Sequence, residues 1–370
     1  MTVAMVTVCP ASPYRPSSAT TVLADVPAGA RHESDNLRAL TATRLELALP
    51  LVQFNISRAR ATGDLRYLGY AEAILSPWMT RSPVATPVLI LHATILQSRH
   101  QFVAALSELD QALRARPDDA QAWLTRATIL RVLGRYEEAM ESCSHLQGTA
   151  DPVVSDLCIQ GLRGLTGQLK SAYAGLQVQS QQSLPPAVRA WRYSELGEMA
   201  ARLGDNASAE HWFREGLAIA PEDFYLRAAC ADVLLRQGRA AQALQLLAAY
   251  DSMEPLLLRL AIAHRMLGDA YASTAAAQLA QAFDIEQRRG DAVHRREQAR
   301  FLLDVMSQPT AALEAALENW QVQREPDDIL ILLRAARAAH QPQAETLALQ
   351  FVRQHRLEDV RLTTLLSGSP

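Results

Sequence analysis

The sequence predicts an all-α protein, an α-solenoid of stacked antiparallel helix pairs, on three observations. Apolar residues recur at helical spacing in short blocks, the blocks pair across glycine-containing turns, and the pairs return at a 34-residue spacing. The pairing is plainest in Ala120–Leu146. There Trp123, Ala127, Ile129 and Leu130 make one apolar stripe, Gly134 stops the helix, and Tyr136, Ala139, Met140 and Cys143 make the next. Moving back 34 positions meets Leu89, Ala93 and Leu96, then Phe102, Ala105 and Leu109, so large and small residues return to the same places.

Composition agrees. The 370 residues are 49% hydrophobic, enough for a continuous core, and Ala and Leu prevail over the β-branched and aromatic types that strands favour. A formal net charge of -3 gives no electrostatic footprint for nucleic acid or an anionic membrane. A membrane span needs about 20 consecutive apolar residues. The nearest approach, Pro255–Ala263, is interrupted by Arg259, so membrane insertion is not expected. Cys9, Cys143, Cys158 and Cys230 show neither CxxC nor His-linked spacing, and no metal or cofactor is expected. Cys143 falls late in one helix and Cys158 early in the next. They read either as two buried thiols or as a disulfide between stacked neighbours.

Taken in order, residues 1–33 carry Pro10, Pro13, Pro16 and Pro27 with a Ser/Thr cluster, and are expected to be a disordered lead-in or the remnant of a signal. Ser34 is placed to cap a helix over Asn36–Leu49 that Pro50 interrupts, and Val52–Ala85 forms a degenerate leading pair, so 34–85 makes an N-terminal section. The regular array is expected over 86–358, with pairs at 86–119, 120–152, 153–189, 190–223, 224–253, 254–292, 293–324 and 325–356, and a tail at 359–370. The pair at 153–189 is blurred by Gly161, Gly164 and Gly167. Pro117-Asp118-Asp119, Pro221-Glu222-Asp223 and Pro326-Asp327-Asp328 each read as a proline stop followed by an acid that caps the next helix. Pro309 and Pro342 read as prolines early in their helices, where they are tolerated.

This pattern resembles the tetratricopeptide repeat, in which W, LG, Y, A, F, A and P hold set places. Leu196-Gly197, Gly204, Ala209, Phe213 and Pro221 fall on those places most cleanly. The resemblance implies that the first helix of each pair lines a concave surface and that its second, fifth, ninth, twelfth and thirteenth positions touch a ligand. Those positions hold Gln121, Leu124, Thr128 and Arg131 in one pair, and Trp191, Ser194, Glu198 and Arg202 in another. Tyr225, Asp232 and Arg236 follow, then Arg265 and Arg337. An arginine thus recurs on the rim, either meeting the carbonyls of its own helix C-terminus or forming a row for carboxylates or phosphates of an extended peptide. The Lys and Asn clamp by which chaperone-binding members grip a C-terminal carboxylate is replaced here by Ile90, Thr94, Leu124 and Thr128. The stretch from Ala61 to Trp78 resembles the leading segment of a group of bacterial tetratricopeptide proteins that often carry an export signal, which implies a periplasmic or exported location over a cytoplasmic one.

Chemistry has no evident seat. No phosphate loop, nucleophile elbow, zinc-protease or dinucleotide motif sits on a strand-to-helix junction, and the nine histidines are scattered singly. The basic run from Arg288 to Arg296 is balanced by Asp284, Glu286, Asp291 and Glu297 and reads as a solvated junction. The expected function is therefore a non-catalytic scaffold that binds a protein or peptide in its concave groove, with no oligomeric state specified. The alternatives are a peptide-sensing regulator of a partner's activity and an enzyme with a site between repeats. A deep pocket of convergent ionisable groups would be the mark of the last.

Overall fold

The computed structural model describes residues 39–178, 184–250, 253–289 and 295–367, and every regular element among them is helical. The lead-in, the Ser34 cap and Cys9 lie outside the described residues. The first pair is α1 (Leu45–Thr62) with α2 (Arg66–Met79), followed by α3 (Thr86–Ser98) with α4 (Phe102–Ala115) and α5 (Ala120–Val132) with α6 (Tyr136–Ser144). Next come α7 (Pro152–Arg163) with α8 (Leu169–Val178), α9 (Pro186–Leu203) with α10 (Asn206–Ile219), and α11 (Phe224–Arg236) with α12 (Ala240–Leu247). The array continues with α13 (Glu254–Leu267) and α14 (Tyr271–Arg289), α15 (Arg295–Arg300) and α16 (Pro309–Trp320), and α17 (Pro326–Ala338) and α18 (Pro342–His355), closed by α19 (Val360–Ser367). Helices pack on their successors from α1 to α14 and from α15 to α18, α19 packs on α17 and α9, and first helices of adjacent pairs meet along most of the array, the stacking of an α-solenoid.

Helix ends follow the chemistry of their residues. Asp119 accepts from the Ala122 N–H at 3.1 Å and Asp223 from the Leu226 N–H at 3.0 Å, so each acid fills an orphan donor at its helix start. The third acidic punctuation differs from expectation. Pro326 opens α17 instead of stopping the helix before it, and Glu325 is the cap, its own N–H donated to Asp328 at 2.8 Å in a capping box. That register leaves Asp327 free to face the interior of the coil. Pro50 also differs, since α1 runs through it. The hydrogen bond it forfeits belongs to the Glu46 carbonyl in the exposed first turn, a position open to solvent.

Small residues set how closely the pairs approach. A Cβ on Gly197 would lie 2.5 Å from the ring of Phe213, so α9 and α10 cross at a separation only glycine allows. Ala139 and Ala209 are fully buried and Ala127 nearly so. Of the large residues, Tyr136 and Phe213 are buried, while Trp123 and Trp212 keep part of their surface and donate their indole N–H to the Pro117 carbonyl and the Tyr173 hydroxyl. Cys143 and Cys158 are bonded to each other, tying α6 to α7, and Cys230 is a buried free thiol.

The coil does not stay open. Pairs five or six apart in the chain touch, so one turn of the superhelix packs on the next. The α1 region meets α11 through the Arg58–Glu222 ion pair at 2.9 Å and through Gly63, which abuts Met253 and Phe224. Farther along, the Arg324 N–H donates to the Val132 carbonyl at 2.8 Å, and the Leu169 N–H to the Glu358 carboxylate at 2.8 Å. Gly134, at φ 73°, ends α5 against Phe351, and a Cβ there would come 2.7 Å from that ring. The consequence is a single apolar cluster that joins Leu130, Tyr136, Cys143 and Leu162 to Ala316, Leu332, Phe351 and Leu362. A solenoid whose repeats touch only their neighbours would have no such cluster.

Candidate functional site

Closure turns the expected concave groove into space along the coil axis. Two adjoining chambers lie there. The first, about 670 Å³, is bounded by the end of α1, by α9, by the start of α11 and by the first turns of α13, α15 and α17. Trp191, Phe224, Leu226 and Pro255 give it apolar walls. Its charged lining is mainly acidic: Glu198, Asp223, Asp232, Glu297, Glu325 and Asp327 face Arg60, Arg259 and Arg296. The second, about 410 Å³, continues from Asp232 and Asp327 toward α13, α17 and α19 and is rich in arginine.

The sequence-predicted groove residues divide in two. Trp191, Ser194, Glu198, Tyr225 and Asp232 come together around the first chamber, and Arg236 lies on the second. The others do not reach either. Gln121 bonds Thr125 at 3.1 Å, Thr128 turns back to the Leu124 carbonyl at 2.9 Å, and Leu124 packs against the main apolar cluster. The recurring arginines are occupied inside the protein. Arg131 donates to the Glu195 carboxylate, whose other contact is the Trp191 indole N–H at 3.2 Å. Arg202 is buried and donates to the Gly164 carbonyl at 2.6 Å. Arg265 holds the Val305 carbonyl and the Ser307 hydroxyl, the latter at 2.9 Å, and Arg337 holds Glu345 at 2.7 Å and the Leu365 carbonyl. These four arginines therefore brace the protein internally, because nearby pairs and α19 supply the acceptors that solvent or a ligand would otherwise have met.

The residues missed from the sequence are those brought together by successive pairs and by one helical irregularity. A π-helical turn over Phe301–Val305 buries Phe301 and Val305 and sets Arg300 and Asp304 on the second chamber. Arg296, read as part of a solvated junction, instead turns inward, 3.5 Å from Glu297 and Glu325 and 3.6 Å from Asp328. Arg361 from α19 pairs with Asp327 at 2.7 Å. One signal was present: Arg259 breaks the apolar run Pro255–Ala263 at a core-facing phase, and it is buried against Asp232 at 2.8 Å.

Electrostatics in the first chamber centre on Glu198. Burial, then the negative charge of Asp327, push its carboxyl up to about 6, against the Tyr225 hydroxyl that donates to it. Burial works to raise Asp327 too, but Arg361, Arg296 and Arg236 outweigh it and hold that carboxyl at about 2. Because the Glu198 value in the folded state is raised from 4.5, its stabilising contribution is complete below 4.5 and is lost as pH rises through about 6. Glu198→Gln is accordingly expected to be more stable than the wild type at about pH 8 by up to roughly 2 kcal/mol, and to converge with it below about pH 4.5. Urea unfolding at several pH values checks this; parallel curves would refute it.

Residues 90–152, which include α5 and α6, match the family model described as tetratricopeptide repeat. This stretch carries the tetratricopeptide repeat. Among solved structures, the chain is similar to the crystal structure of the APC/C hetero-tetramer Cut9–Hcn1, with 17% identity and a TM-score of 0.48, over 83% of this chain and 59% of that one. The chain thus spans less than two thirds of that relative's length. It is also similar to the P58(IPK) TPR domain, with 14% identity and a TM-score of 0.26 over 76% and 96%, and to yeast Tom70, with 11% identity and a TM-score of 0.28 over 86% and 90%. No curated protein matches the chain. The tetratricopeptide fold is that of protein-interaction scaffolds, which are generally non-catalytic. Among the described residues no helix is long and apolar enough to cross a membrane.

Proposed function

We propose that the protein is a non-catalytic scaffold that takes a segment of a protein partner into the first axial chamber. The observation that carries this reading is the convergence of Trp191, Ser194, Glu198, Tyr225 and Asp232, from two successive first helices, on one cavity with apolar walls and an acidic lining. Such a cavity accepts an apolar side chain flanked by basic residues, the walls burying the former and the carboxylates meeting the latter. The test is affinity capture by the wild type, by Ser194→Phe, which fills the chamber, and by Thr128→Glu, on an exposed face away from it. A photo-crosslinking amino acid in place of Tyr225 identifies what enters. A partner that crosslinks there, is lost with Ser194→Phe and is retained with Thr128→Glu supports the proposal; one captured equally by all three refutes it.

A specific observation favours a second reading, an enzyme with its site between repeats. The first chamber gathers convergent ionisable groups, and Glu198, held at about 6 beside Tyr225, is suited to general acid–base work near neutral pH. Chemical change in the captured segment that Glu198→Gln abolishes would decide for it.

A further inference from the structure

The second chamber has a chemistry of its own. Six guanidinium groups face it, from Arg236, Arg259, Arg296, Arg300, Arg334 and Arg361, against the carboxylates of Asp232, Asp304 and Asp327. Five of the arginines are held in place. Asp232 takes Arg259 at 2.8 Å and Arg300 at 2.9 Å, and Asp304 takes Arg334 at 2.5 Å. Arg361 is fixed by Asp327 at 2.7 Å and by Asp359 at 2.6 Å, and Arg296 by Glu297 and Glu325 at 3.5 Å each. Arg236 is the exception: it forms neither an ion pair nor a hydrogen bond among the described residues, although the charges of Arg361, Asp232, Asp327 and Arg300 all act on it. The rest of the lining is apolar, from Leu235, Ile262, Met266, Leu330 and Ile331.

Five guanidinium groups already locked in position lose little side-chain freedom when an anion arrives, so Arg236 is the one arginine that binding must order. A phosphate monoester offers three acceptor oxygens and about two negative charges, enough to engage Arg236 and its neighbours together, whereas a carboxylate offers two oxygens and one charge. The volume of about 410 Å³ falls within the range of small-molecule sites and leaves room for an organic remainder against the apolar wall.

We propose that the second chamber binds a small phosphorylated organic molecule, its phosphate received by Arg236 among the fixed arginines and its carbon frame by the Leu235–Ile262–Leu330 wall. This is separate from protein-segment binding in the first chamber and is measured with no partner protein present. The experiment is titration calorimetry of the full chain with phenyl phosphate, inorganic phosphate and benzoate. It is repeated on Arg236→Gln and on Arg353→Gln, which removes the same charge from an exposed helix end. Phenyl phosphate is expected to bind more tightly than either simpler anion, to lose at least about tenfold in affinity in Arg236→Gln, and to be unchanged in Arg353→Gln. Absence of binding to the wild type, benzoate binding as tightly, inorganic phosphate binding as tightly, or equal affinity in Arg236→Gln would each overturn the proposal. Circular dichroism of both variants establishes that a lost signal is not lost fold.

Discussion

Phe351→Ala is expected to lower the unfolding free energy by about 3–5 kcal/mol, and to loosen two separate stretches of the array at once. Phe351 is buried, stands edge-on to Tyr136 and Trp320 with ring centres 5.9 and 5.3 Å away, and covers Gly134 at the end of α5. Its removal leaves a cavity between one turn of the superhelix and the next, not between neighbouring repeats. Hydrogen exchange should therefore accelerate around α5 and α6 as well as in α16 to α18. Leu109→Ala is the comparison, since Leu109 is fully buried but its cluster holds mainly residues of α3 to α5. There the acceleration should stay local. If Phe351→Ala also acts locally, the turns of the coil are not energetically joined.

Asp232→Ala should destabilise the protein by about 3–5 kcal/mol at neutral pH, because it strands two arginines that are no longer solvated by water. The Arg259 side chain is 6% exposed and that of Arg300 18%. Burial opposes the charge on Asp232, yet Arg259 and Arg300 overcome that penalty and hold the carboxyl well below its usual 3.8. The sign of the pH effect follows. A depressed folded-state value contributes stability that is present above 3.8 and is lost as pH falls toward the lower folded value. The gap between wild type and Asp232→Asn in urea unfolding should thus be full near neutrality and narrow below about pH 3.8. A gap that widens in acid would show that the two arginines, and not the carboxylate, set the stability of this cluster. Asp232 also borders both chambers, so the variant is expected to alter binding in each.

The resemblance in the sequence was most informative where a residue's role is decided by its immediate neighbours. Ala127, Ala139 and Gly197 could be read as close-approach points from their place in the repeat, and Asp119 and Asp223 as caps, because helix spacing and end chemistry depend on a few adjacent residues. The arginines were less legible. Arg131, Arg202, Arg265 and Arg337 sit at groove positions, but their acceptors are 64, 38, 40 and 28 residues away, on Glu195, Gly164, Val305 and Leu365. Nothing in the local pattern distinguishes an arginine that waits for a ligand from one whose acceptor arrives from another pair. Arg236 is the member of that series left without one, and only the assembled structure singles it out.

By itself, the sequence determined the helices, their pairing and the stacking of each pair on the next, since a hairpin too small to bury its own stripe must pass it to its neighbour. Tertiary structure alone decided that the coil closes, that the groove becomes two chambers of opposite charge, and which side chains line them. The curvature of a solenoid is a sum of small rotations, one per pair. A few degrees in each, beyond what a 34-residue pattern encodes, determine whether Gly134 meets Phe351 or solvent.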